Sequence, residues 1–146
     1  VICWLRHGES TWNAAGRMQH RDPTPPLTEL GRLQSRTAAE HLRGTAFDTL
    51  LCSPAVRARQ TAEVVAEALG LGVQVDDRLV ERDHDESVQD VRDRVRAVLA
   101  DHPGELLVVS HGDTIAVAVE LLTGSPCDVP GNAQAIVTSN TLERPL

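Results

Sequence analysis

The sequence has no surplus of positive charge. Its 146 residues carry 14 Lys and Arg against 21 Asp and Glu, a formal net charge of −7. A general nucleic-acid binder needs basic surface to meet phosphate backbones, so nucleic-acid partners are not expected. A small cationic pocket for one phosphate stays open, because a few side chains suffice for it. Apolar runs such as IAVAVELL over 115–122 are too short to span a bilayer, so no membrane partner is expected either. No segment has the composition of a secretory signal, although the sequence opens on Val1 and its start is expected to be trimmed. Cysteine is scarce and scattered. Cys3, Cys52 and Cys127 match no zinc spacing, and two of them fall inside apolar runs. They read as buried thiols in a reducing compartment, which implies a cytoplasmic location and no metal or cofactor. Linkers, low-complexity stretches and fixed-period repeats are also absent, so residues 1–146 are expected to form one domain.

What is present is a regular alternation. Apolar residues make up 41% and charged residues 24%, the balance of a soluble globular chain with a real core. Val1–Leu5 reads as a buried strand. Residues 8–27, with DPTPP inside them, read as a long loop. Thr28 can cap a helix that ends near Arg43, with Leu30, Leu33, Ala38 and Leu42 towards one face and Gly44 as its stop. FDTLLCS is a second strand. It leads into a helix for which Ser53 serves as cap, Pro54 as first residue and Gly70 as stop. LGVQV is a third strand. SVQDVRDRVRAVLADHPG carries Ser87 three residues before Asp90, close to a capping box, and valines at helical spacing. ELLVVS reads as a strand buried on both faces, residues 113–123 as a helix stopped by Gly124, and AQAIVTS as a fifth strand. Strands alternating with helices predict an α/β three-layer sandwich, with a mostly parallel sheet and helices on both faces.

In such sheets ligands bind beyond the carboxyl ends of the strands. The polar residues gather there. Arg6, His7 and Gly8 follow the first strand, Ser53 to Arg57 the second, and His111 and Gly112 the fourth, while Glu81 lies a few residues past the third. A glycine after each histidine lets the backbone turn. His7 and His111 would face each other if their strands were neighbours. Arg6 and Arg57 add planar donor forks suited to phosphate oxygens, and a position in the first turn of a helix favours an anion further. Taken singly, a histidine beside a strand is commonly structural, and Arg57 and Glu81 are commonly solvated. Together they read as a pocket for a phosphoryl group.

The segments LRHGESTWNAAGRMQ, PLTELGRLQ, LLCSPAVRARQTAEVVAEALG, DDRLVE, LLVVSHGDTI and GNAQAIVT follow one another in an order that resembles the histidine phosphatase superfamily, in the branch that includes phosphoglycerate mutases. The resemblance covers nearly the whole chain. It implies a metal-independent phosphatase in which His7 attacks phosphorus and forms a phosphohistidine. It also implies that Glu81 protonates the leaving oxygen and later activates water. Arg6, Arg57 and His111 would hold the phosphoryl oxygens, with Asn13, Gln19 and the Gly112 amide helping to bind phosphate. The substrate would be a phosphorylated small molecule or a phosphoprotein. A phosphoglycerate-type mutase and a catalytically inactive phospho-binding module are the alternatives. Two departures from the family pattern stand out. Only RDHDE separates Glu81 from Ser87, where the family usually carries a sizeable insert that forms a lid, and His20 occupies a position where glycine commonly follows Gln19.

Overall fold

The computed structural model describes residues 1–140. Five strands form one sheet in the order β3-β2-β4-β1-β5. They are β1 (Ile2–Arg6), β2 (Thr49–Cys52), β3 (Val73–Val75), β4 (Leu106–Ser110) and β5 (Ala135–Thr138). The first four run parallel, and β5 adds antiparallel to β1. The helices are α1 (Thr11–Ala14), α2 (Glu29–Leu42), α3 (Val56–Leu69), α4 (Val88–Asp101) and α5 (Gly112–Thr123), with a 3₁₀ turn over Asp77–Leu79.

Each central strand feeds two cores because successive side chains point to opposite faces. Cys3 and Leu5 of β1, with Leu107 and Val109 of β4, pack under α2 and α3. Ile2, Trp4, Leu106 and Val108 pack on the other face against α4 and α5. The unbroken apolar runs in the sequence are therefore strands covered on both sides. The two covered faces give the three layers expected from the alternation.

Several local expectations change. In α2 the buried residues are Gly31, Ser35, Ala38, Ala39 and Leu42, whereas Leu30 and Leu33 are exposed. Small residues face inward because α2 lies against backbone. A Cβ on Gly31 would overlap the Glu9 carbonyl, and one on Gly8 would overlap the Gly31 carbonyl. Gly8 is thus needed for close approach rather than for a turn, since its φ is not positive. The loop over 8–27 contains α1, closed by a capping box between Ser10 and Asn13 and tied down by a bridge from Ser10 to Leu27. Ser53 does not cap α3. That helix begins at Val56 after Ala55, which makes no side-chain cap bond, and Pro54 precedes it. The capping box of α4, between Ser87 and Asp90, forms as expected.

Among the described residues no helix is long and apolar enough to cross a membrane.

Candidate active site

The pairing of β1 with β4 builds the centre of the site. Arg6 is in register with Ser110, and the His7 amide donates to the Ser110 carbonyl at 3.2 Å. The residues that follow, His7 and His111, are therefore level. Their ring centroids are 5.2 Å apart at an interplanar angle of 65°. Both rings are buried.

His7 Nδ1 lies 2.7 Å from the Gly8 carbonyl oxygen. A carbonyl only accepts, so Nδ1 carries the hydrogen and Nε2 keeps its lone pair. Burial pushes the His7 pKa down to about 3, and the charges of Arg57 and Arg6 act in the same direction, against the Gly8 carbonyl. The ring is a neutral base with one free nitrogen at ordinary pH. His111 is likewise held well below the usual imidazole range, first by burial and then by His7, Arg57, Arg6 and Arg94.

The two arginines are held by carbonyls. Arg6 Nη1 donates to the Pro130 carbonyl at 2.7 Å. Arg57 donates from Nη1 to the Asp22 carbonyl at 2.6 Å and from Nη2 to the His20 carbonyl at 3.1 Å. Among the described residues neither guanidinium forms an ion pair, and each leaves a buried Nε–H without a partner. Burial lowers the Arg57 pKa to about 10, with Glu81 and Asp22 opposing. Two desolvated cations with unspent donors are an unfavourable arrangement in isolation and a favourable one around an anion. Gly112 makes room for Val129 beside the first of them. A Cβ there would sit 2.6 Å from Val129 Cγ1 and 3.5 Å from the Arg6 guanidinium carbon.

Glu81 caps the opening turn of α5. Its Oε1 accepts from the Thr114 amide at 3.0 Å, the Thr114 hydroxyl at 3.1 Å and the Arg82 amide at 2.8 Å. Oε2 has a single long contact, from the Asp113 amide at 3.3 Å. The short segment after it is fastened from both sides. Arg21 donates to the Glu81 carbonyl at 2.6 Å and to Glu86 at 2.8 Å, and the half-buried pair Arg94–Glu86 closes at 2.9 Å.

Arg6, His7, Asn13, Gln19, Arg57, Glu81, His111 and Gly112, the residues singled out in the sequence, line one cavity of about 170 Å³. Asn13 and Gln19 accept through their carbonyl oxygens, from Ser10 and Asn132 in one case and from Ser10 in the other. That leaves their NH₂ ends as donors. Arg17, Met18, His20, Asp113 and Val129 complete the wall. His20 sits at φ 45°, in the left-handed region that favours glycine, which gives the departure at this position a cost in backbone strain. Sequence reasoning missed Asn132, whose amide donates to the His7 carbonyl at 3.3 Å, and Thr61, whose hydroxyl accepts from the Gly8 amide at 3.0 Å. Asn132 lies in the quoted GNAQ stretch and Thr61 one turn after Arg57, so both were within reach of a reading that followed the histidine backbone. Ser53, expected as a cap, instead meets His111 Nε2 at 2.8 Å.

Comparison with known proteins gives the family. Residues 2–86 match the family model of the histidine phosphatase superfamily (branch 1). The "Uncharacterized phosphatase PhoE" of Bacillus subtilis is 29% identical over 154 aligned positions, covering 86% of this chain and 79% of that protein. The "Probable phosphoglycerate mutase GpmB" of Enterobacter sp. is 30% identical over 160 positions, covering 84% and 74%. Both alignments run longer than the chain itself, so these relatives carry residues with no counterpart here. Among solved structures, a mycobacterial glucosyl-3-phosphoglycerate phosphatase complexed with VO3 superposes with a TM-score of 0.81 at 28% identity, over 92% of this chain and 88% of that one. The chain belongs to the histidine phosphatase superfamily, branch 1.

Proposed function

We propose that this protein is a metal-independent phosphatase that hydrolyses phosphate monoesters through a phosphohistidine on His7. The observation that carries the reading is the neutral, buried His7 ring, with Nε2 free, beside two guanidinium groups that have donors to spare. The bound phosphoryl group is held by Arg6, Arg57, His111, the Gly112 amide and the NH₂ ends of Asn13 and Gln19. His7 Nε2 attacks phosphorus as the ester oxygen departs, and Glu81 gives that oxygen a proton. Water then attacks phosphorus, Glu81 takes its proton, and the phosphorus–nitrogen bond breaks to release phosphate. Oε2 is the oxygen suited to the proton, because its one contact is long while Oε1 stays tied to α5. The charge developing on phosphorus is met by preorganised donors at the buried floor of the cavity, an effect that in most enzymes contributes more to the rate than any other.

The names of the relatives divide between phosphatase and mutase. The short segment over 82–86 favours hydrolysis, because it leaves the mouth open to water and supplies no lid to retain a product for return transfer. A cavity of about 170 Å³ encloses a phosphoryl group and little of its leaving group. The substrate class is therefore a small phosphomonoester, of which the phosphorylated sugar acid named for the mycobacterial relative is one kind, or a phosphoprotein. Buried free thiols at Cys3 and Cys52 support a cytoplasmic setting, and residues 1–146 act as one catalytic unit.

The test is covalent trapping. Wild type incubated with a ³²P-labelled monoester and quenched should carry acid-labile, base-stable label, and His7→Ala should carry none. Turnover should survive EDTA. Label that persists in His7→Ala refutes the assignment.

A further inference from the structure

Ser53 follows β2 directly, with its side chain fully buried, and lies outside the roles argued so far. His111 contacts two partners with its two ring nitrogens. Nδ1 lies 3.5 Å from Arg57 Nη2, and Nε2 lies 2.8 Å from Ser53 Oγ. A guanidinium nitrogen can only donate, so Nδ1 must be the unprotonated nitrogen. The ring hydrogen then sits on Nε2 and is donated to the Ser53 hydroxyl oxygen. The same oxygen accepts from the Ala55 amide at 3.3 Å, which orients it as an acceptor.

We propose that Ser53 is a positioning residue of the phosphoryl pocket, which fixes His111 as the Nε2–H tautomer and keeps Nδ1 available beside Arg57. This rests on the phosphatase reading only for its kinetic consequence. A phosphoryl oxygen can accept from Nδ1 only after the ring takes a second proton there. Ser53 Oγ accepts from Nε2–H in both states, so the ring gains that proton without turning. The groups that face the ring are His7 and Arg6 from the end of β1, Arg57 from α3 and Arg94 from α4, while Glu81 caps the helix His111 precedes. All the cations oppose the second proton until an anion lies among them. The serine hydroxyl offers the ring an acceptor without adding a charge of its own.

The experiment is ¹⁵N NMR of histidine-labelled protein, with His111 assigned by its loss in His111→Gln. Wild type should show His111 as the Nε2–H tautomer. Ser53→Ala should shift it towards Nδ1–H or a mixture, and Ser53→Thr, which keeps the hydroxyl, should restore it. In single-turnover phosphoenzyme formation from p-nitrophenyl phosphate, Ser53→Ala should be slower by about ten- to a hundredfold, the scale on which partners behind a functional imidazole act. KM should change little and Ser53→Thr should recover most of the rate. Should Ser53→Ala fail to fold, Ser53→Cys replaces it, since sulfur fills the site but accepts weakly. An Nδ1–H tautomer in wild type, or a tautomer indifferent to loss of the hydroxyl, overturns the proposal. A wild-type protein with the expected tautomer but no phosphoenzyme refutes the phosphatase reading and leaves the Ser53–His111 pairing standing.

Discussion

Replacing Arg57 with methionine should separate stability from activity. Arg57 is 1% exposed, has no carboxylate partner among the described residues and keeps an unspent Nε–H. Its pKa falls from the ordinary guanidinium range to about 10, chiefly through burial. The protein therefore holds this charge at a cost on the order of 3 kcal/mol at neutral pH. Methionine keeps the unbranched stem and removes the charge. Two carbonyls lose this donor, that of the exposed His20, which returns to water, and that of the half-buried Asp22, whose loss offsets part of the gain. Thermal stability should stay level or rise. Activity should move the other way. A guanidinium that meets developing charge in a dry site is worth about 3–5 kcal/mol, so kcat/KM should fall by roughly two to three and a half powers of ten. Arg57→Lys should recover only part, because one ammonium cannot reproduce the planar fork. The assay is kcat/KM with an alkyl phosphate, paired with a melting curve. Near-wild-type kcat/KM in Arg57→Met would refute the placement of this side chain against the phosphoryl group. A large fall in Tm would refute the account of an unpaired cation.

Glu81→Gln should slow phosphoenzyme formation from an alkyl phosphate far more than from p-nitrophenyl phosphate, because nitrophenolate leaves without a proton; equal slowing in single-turnover experiments would remove Glu81 as the acid. Gly31→Ala drives a Cβ into the Glu9 backbone and should cost about 1–3 kcal/mol in denaturant unfolding; an unchanged midpoint would show that α2 does not bear on the His7 loop. Acid should destabilise the fold through His7. Its folded pKa of about 3 lies below the unfolded 6.5, so the unfolded chain binds the proton first. Stability present above about pH 6.5 is lost as pH falls towards 3, by up to about 1.4 kcal/mol per pH unit. His7→Gln should flatten that slope in urea melts at stepped pH.

The gathering of the candidate residues at one end of the sheet was legible from their places in the sequence. A histidine after a strand is commonly structural by itself, but Arg6, His7 and His111 recur directly after runs of buried strand, at the carboxyl ends where such sheets bind ligands. The strand order was not legible. Nothing local in LLVVS says that it pairs with ICWLR, and that pairing is what brings the two histidines level. Ser53 misled because a serine before proline at a helix start is a common cap; the hydroxyl turns instead to a ring 58 positions away in sequence. Leu30 and Leu33 misled for a related reason. Helical spacing marks a face, but the face that packs on backbone carries Gly31, Ser35 and Ala38, which a search for large apolar residues passes over.

The separate fastening of the segment after Glu81 has a consequence for how such a protein can change. His7 and His111 are fixed by the register of β1 and β4, deep in the sheet, whereas the stretch over 82–86 is clamped by Arg21 and by the Arg94–Glu86 pair. Among the described residues the two sets meet indirectly, through Arg94, which donates to Glu86 and, at 3.4 Å, to the Thr114 hydroxyl at the start of α5. Residues inserted between Asp83 and Asp85 would lengthen the turn that the clamp closes and break the bond from the Glu86 amide to the Asp83 carbonyl, while the imidazole pair keeps its own anchors. Substrate preference can drift through that stretch while the chemistry is inherited unchanged, and a loop transplanted there from a longer relative should bring its selectivity with it.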